Sequence, residues 1–132
     1  MLKRQAGTAT NLLRSIQENN MPASKIFDSE KTGKFLAMTR IWNAERGLLF
    51  ADIKFYFNPV TCLLEPIGFD GNSLDEDKAP YCYFSHGDIK DNWVNFALAD
   101  HRIASSYTKN LYLFTRDEYL KDLREDLGKK EK

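Results

Sequence analysis

The residues best placed for chemistry follow a predicted β-hairpin. Residues 50–57 and 63–69 alternate as two strands, and Asn58-Pro59 is typical of the turn that joins them. Asp70-Gly71 comes directly after the second strand. An Asp-Gly pair at a strand exit often holds a metal ion or a phosphate, because glycine lets the backbone turn away from the carboxylate. The same pair also fits an ordinary turn without a ligand, and both interpretations stay open.

The cysteines and histidines predict no second site. Cys62 and Cys82 are too few for a disulfide framework, and His86 beside Cys82 still leaves a zinc ion two ligands short. The Ser85-His86-Asp88 cluster resembles a hydrolase triad only in composition. Triad members need separate packed supports, which neighbours in sequence seldom have.

Composition limits the classes of protein that this chain can represent. Its 132 residues fit a single domain or a fragment of a larger one, and 42% of them are hydrophobic. Nineteen basic residues balance nineteen acidic ones, which argues against a dedicated nucleic-acid binder. No apolar run approaches the ~20 residues that cross a bilayer, and no targeting signal is visible, so a cytoplasmic location is the default expectation.

Helical periodicity predicts two helices before the hairpin, at 10–18 and 27–46, and two or three after it, within 91–98, 100–114 and 115–127. The expected fold class is therefore α+β, mainly helical with a central β-hairpin. Residues 1–8 and the tail 128–132 are expected to be disordered, and 71–90 to form a long loop.

Three finer predictions concern the helix ends and faces. Gly47 is expected to end the second helix, and Thr115 with Glu118 to form a capping box for the last one. Gly33 is expected to weaken the second helix by up to ~1 kcal/mol relative to alanine. A broad apolar stripe should be the buried face of that helix, formed by Phe35, Ala37, Met38, Ile41 and Trp42.

Several segments resemble the spore-coat protein H (CotH) kinase-like family. Before and around the hairpin they are Phe35-Leu36-Ala37-Met38 with Ile41-Trp42, and residues 52–61 and 64–70. Near the C-terminus they are Tyr107 with Leu111-Tyr112, followed by residues 115–120. The resemblance implies a reduced protein-kinase-like C-terminal lobe, with Mg²⁺ and ATP as cofactors and a protein substrate phosphorylated on Ser or Thr. It places Asp70 on the metal-binding aspartate, and Asp52 where the family has an asparagine as second metal ligand.

The predicted turn also brings these two carboxylates to one end of the hairpin. If Asn58 faces Thr61, both Asp52 and Asp70 lie at the open end of the two strands. Mg²⁺ binds one or two carboxylates together with phosphate oxygens, so a shared site is expected there. The alternative is two solvated aspartates at strand ends.

The chain departs from the family pattern near the expected catalytic base. Residues 43–47 contain no aspartate, so Glu45 is the candidate base, although a Glu-Arg pair at a helix end also fits a surface ion pair. No glycine-rich loop or strand lysine is present to hold ATP phosphates. Either the chain is part of a larger protein, or it is a non-catalytic, pseudokinase-like scaffold that binds a protein partner.

Overall fold

A computed structural model describes residues 2–49, 53–68 and 93–130. The described elements are α1 (Leu2–Glu18), α2 (Ser29–Ile41), β1 (Lys54–Asn58), β2 (Leu63–Ile67), α3 (Trp93–Leu98), α4 (His101–Phe114) and α5 (Asp117–Lys130), with 3-10 turns at Ala23–Lys25 and Glu45–Leu48. The fold is α+β, mainly helical with one antiparallel hairpin, as predicted. The predicted loop at 71–90, with its cysteine and histidine, lies outside the described residues. No described helix is long and apolar enough to cross a bilayer.

The closest packing in the fold is between α2 and α4, at Gly33. A Cβ at this position would lie 2.5 Å from Ser106 Cβ and 2.6 Å from the Tyr107 backbone nitrogen. The hydroxyl of Ser106 donates a hydrogen bond to the Glu30 carbonyl at 3.1 Å, one turn earlier in α2. Gly33 therefore lets the two backbones approach, a role that outweighs the low helix propensity predicted for it.

The hydrophobic core contains a cluster of three aromatic rings. Phe27, Phe55 and Trp93 have ring centroids 5.3–5.8 Å apart, and the Phe55–Trp93 pair is edge-on. The buried Trp93 indole donates to the Leu48 carbonyl at 2.8 Å, which satisfies its only donor. This cluster joins the segment before α2, the hairpin and α3.

The hairpin is attached to the rest of the fold through the buried Leu64. Its N–H donates to the Ile26 carbonyl, and its carbonyl accepts from the Asp28 N–H, at 2.8 and 2.9 Å. The backbone N–H and carbonyl of Leu64 therefore point away from β1. The backbone groups of Pro66, two residues later, point the same way. The missing N–H of Pro66 removes no bond from the β1–β2 ladder, which explains how a proline fits inside β2.

The hairpin forms as predicted, but its register is shifted by two residues. Asn58 pairs with Leu63, and not with Thr61, because the connection extends through Cys62. Cys62 adopts a left-handed conformation (φ 57°), and its N–H donates to the Asn58 carbonyl at 2.8 Å. The Asn58 side chain accepts from the Val60 N–H at 2.9 Å, so the predicted turn role of Asn58 is confirmed.

The boundaries of α1 and α2 each differ from the prediction at one end. The helix α1 begins at Leu2 and includes most of the segment expected to be disordered, and Thr10 lies inside it with its hydroxyl donating to Ala6. The helix α2 ends at Ile41, because Asn43 takes the left-handed conformation (φ 51°) and Gly47 has no part in the stop. Asparagine tolerates this conformation better than most residues do.

The predicted capping box at the start of α5 is wrong. Thr115 instead caps the end of α4, where its N–H and hydroxyl both donate to the Leu111 carbonyl. Glu118 pairs with the neighbouring Arg116. The helix α5 continues to Lys130, beyond the expected start of the disordered tail.

The predicted buried stripe of α2 is also largely wrong. The buried residues of this helix are Thr32, Gly33, Leu36, Ala37 and Thr39. Met38, Ile41 and Trp42 are exposed, and Phe35 is only partly buried. A small-residue face, rather than the bulky one, contacts the neighbouring helix because α4 approaches so closely.

The close contact predicts opposite effects for one substitution at two glycines. Gly33→Ala should lower the free energy of unfolding by about 1–3 kcal/mol, because the added methyl overlaps α4. Gly7→Ala should raise it by about 0.5–1 kcal/mol, since Gly7 lies in α1 with no atom near the added carbon. Urea unfolding of both variants measures the difference. An equal gain for both would contradict the close contact.

Candidate binding surface and the predicted metal site

The predicted metal and catalytic residues lie outside the part of the chain that is described. Asp52 and Asp70 fall in undescribed segments on either side of the hairpin. Glu45 begins the 3-10 turn Glu45–Leu48, but its side chain is outside the description. Within residues 2–49, 53–68 and 93–130, no group of three or more His, Cys, Asp or Glu side chains is arranged to hold a metal ion.

The observed register sets a condition for the predicted metal site. Phe55 faces Pro66 and Phe57 faces Leu64, so odd-numbered residues of β1 share a face with even-numbered residues of β2. Two even-numbered aspartates, Asp52 and Asp70, would fall on opposite faces if this ladder continued to them. The ladder ends at the Lys54–Ile67 pair, before either aspartate, so the register leaves the shared site a prediction.

The best-defined charged cluster in the described residues connects α2 to the hairpin. The Lys31 ammonium lies 2.7 Å from a Glu65 carboxylate oxygen. The same oxygen accepts a hydrogen bond from the Asn58 amide at 2.8 Å. The hydrogen bond from Lys31 and then that from Asn58 lower the pKa of Glu65, and the hydrogen bond to Glu65 raises the pKa of Lys31.

This cluster is suited to anchoring rather than to catalysis. Asp28 caps α2 by accepting from the Lys31 N–H at 3.0 Å, so the helix start and the Lys31 side chain are both fixed. Glu65 is directed to the turn of the hairpin by Asn58. The two contacts set the orientation of the hairpin against α2.

A second carboxylate with internal donors holds the start of α4 against the segment before α2. Asp100 accepts from the Ser24 N–H at 2.8 Å and from the Arg102 N–H at 3.0 Å, one with each oxygen. Burial opposes its ionisation, but the hydrogen bonds from Ser24 and Arg102 and the nearby His101 together hold its pKa below the usual value. Because both oxygens already have donors, Asp100 acts as a helix cap and a tether.

The most exposed large apolar side chain of α2 and its end is Trp42, which is 66% exposed. Met38 and Ile41 are also exposed, and they lie four and one positions before it. Residues three and four apart are neighbours on a helix surface, so Met38, Ile41 and Trp42 form one patch at the end of α2. We call these three side chains the Trp42 patch. Clustered exposed apolar residues mark interaction sites more often than single ones do.

Helical periodicity favours a core position for this patch because α2 has apolar residues on two faces. Leu36 and Ala37 lie on one face, and Met38 and Trp42 on another, so periodicity alone does not select the buried one. The available signal was the absence of a side chain at Gly33, beside Thr32, which indicates a face suited to close helix packing. Asn43 was the corresponding signal for the end of the helix.

Known proteins offer no guide to this site. Comparison of the chain with models of known protein families, with curated proteins and with solved structures found no match.

The Lys31–Glu65–Asn58 cluster predicts a pH dependence of stability. The pKa of Glu65 is lowered in the folded protein, so its ionised form favours folding above the ordinary value of 4.5. That contribution disappears as the pH falls through the lowered pKa. The free energies of unfolding of the parent and of Glu65→Gln, measured by urea at several pH values, should therefore differ at pH 7 and converge below pH 4.5. A difference that stays constant down to about pH 3 would contradict this role.

Proposed function

We propose that this chain is a non-catalytic protein-binding module that contacts its partner through the Trp42 patch. The observation that carries the proposal is the exposure of Trp42 beside Met38 and Ile41 on a single helix end. Tryptophan and methionine are enriched in the cores of protein interfaces, and tryptophan is among the residues that contribute most to binding. The patch lies on a helix that is held firmly by α4 and by the hairpin, so it is presented without a large ordering cost.

The charged groups of the described structure agree with a binding role. Glu65 and Asp100 have their carboxylates occupied by internal donors, in positions that stabilise the fold. A module of this kind needs a rigid frame and an exposed contact surface, and the described residues supply both.

A kinase-related function is the second candidate. It is supported by the resemblance to the CotH kinase-like family, and the segments that carry the resemblance include both strands of the observed hairpin. In this proposal Asp70 binds Mg²⁺, Asp52 assists it, Glu45 is the candidate base, and the rest of a larger protein supplies the ATP-phosphate contacts. The reaction would transfer the γ-phosphoryl group of ATP to a Ser or Thr hydroxyl of a protein substrate.

The binding module predicts position-specific cross-linking. A photoreactive benzoylphenylalanine at Trp42 should give a discrete adduct with a partner protein in a cell extract. The same residue at Tyr56, a half-exposed aromatic on β1, is the matched control and should not give that adduct. Trp42→Ala should compete poorly for the same partner, with a change in unfolding free energy within about 0.5 kcal/mol, because the side chain is mostly exposed. Identical adducts from both positions would exclude the patch as the contact.

The kinase-related candidate predicts a ligand-dependent thermal shift. Mg²⁺ and ATP at ~100 times the dissociation constant should stabilise the folded chain by ~2.7 kcal/mol, which is several degrees for a domain of this size. Asp70→Asn should abolish the shift. No shift in the parent would favour the binding module for this chain, and an equal shift in both proteins would remove Asp70 from the site.

A further inference from the structure

The helix α5 has an apolar stripe that the described fold does not cover. Its contact with α4 is at its first turn, where the rings of Phe114 and Tyr119 lie 5.1 Å apart. Further along, Leu120 is 42% exposed and Leu127 is 55% exposed, while Leu123 between them is partly exposed. Spacings of three and four residues place all three leucines on one side of the helix.

Charge is distributed unevenly along the same helix. The first half has an acidic excess and the second half a basic one: Asp117, Glu118 and Asp122 against Lys121, then Arg124, Lys129 and Lys130 against Glu125 and Asp126. A second copy of the helix running in the opposite direction would bring the acidic first turn of each helix toward Arg124 of the other. A copy running in the same direction would place like charges together.

One antiparallel alignment satisfies both the leucines and the charges. When Leu120 of one copy lies across from Leu123 of the other, two leucine layers form around a two-fold axis. The flanking positions on one side of this seam then bring Asp117 of each copy beside Arg124 of the other. Both side chains are exposed, and neither has an ion pair within the described residues.

We propose that α5 is a self-association surface, through which two copies of this chain pair as an antiparallel helix dimer. Leu120 and Leu123 of each copy form the two leucine layers of the seam, Leu127 lies at its edge, and the Asp117–Arg124 pairs fix the direction and register. A seam of two leucine layers is small, so the dimer belongs to the weak end of specific interfaces and depends on concentration. The proposal concerns a surface other than the Trp42 patch and does not rest on it.

A charge-exchange experiment tests both the partner and the alignment. Sedimentation equilibrium of the parent, up to about 1 mM, should show the mass rising from 15.3 kDa toward twice that value. Asp117→Arg and Arg124→Asp should each stay closer to the monomer mass, because each homodimer then has like charges at both pairs. An equimolar mixture of the two variants should recover the association of the parent, since the heterodimer restores opposite charges at both sites.

The mixture also separates lost pairing from lost folding. If a variant unfolded α5, the helical circular dichroism signal would fall and mixing would not restore the mass. Leu123→Asp should abolish association in every combination. A parent that stays monomeric over the whole range, or single variants whose mixture fails to recover, would overturn the proposal.

Discussion

The close approach of α2 and α4 at Gly33 is the constraint on which the rest of the structure depends. A carbon added there would lie 2.5 Å from Ser106 Cβ, so the contact is set by the absence of a side chain. With α4 held at this distance, its cap Asp100 reaches the Ser24 backbone. Three residues after Ser24, Phe27 forms a strand-like bridge with Leu64, and this bridge holds the hairpin. The fold also has a cost in stability, since the buried hydroxyl of Thr32 has no hydrogen-bond partner among the described residues.

The same constraint decides which apolar groups are left for other molecules. Because α2 turns its small residues to α4, its bulky residues at Met38 and Trp42 are directed outward. The leucine stripe of α5 is exposed for a different reason, since the ring contact between that helix and α4 lies at its first turn, at Tyr119. The two surfaces therefore arise independently, and one can serve a foreign partner while the other serves a second copy of the chain.

Local sequence signals predicted the elements well, because those signals act over a few residues. Asn58 as the turn residue was readable from residue chemistry alone. The buried face of α2 could not be predicted in this way. Choosing between its two apolar faces requires knowing that Gly33 contacts Ser106 of α4, which is more than seventy residues later in the sequence. The predicted register of the hairpin was wrong for a related reason. The left-handed backbone of Cys62 extends the turn, and cysteine has no special preference for that conformation. The predicted metal residues stay predictions.

The outer edge of β2 shows how a two-stranded sheet avoids uncontrolled pairing. An open edge offers a row of backbone donors and acceptors to any extended chain. Here Leu64 has already given its outward N–H and carbonyl to the segment before α2. The next outward-facing position is Pro66, which has no N–H to offer. A foreign strand would find no free N–H at Leu64 or Pro66, so this edge of β2 is a poor template for amyloid-like growth.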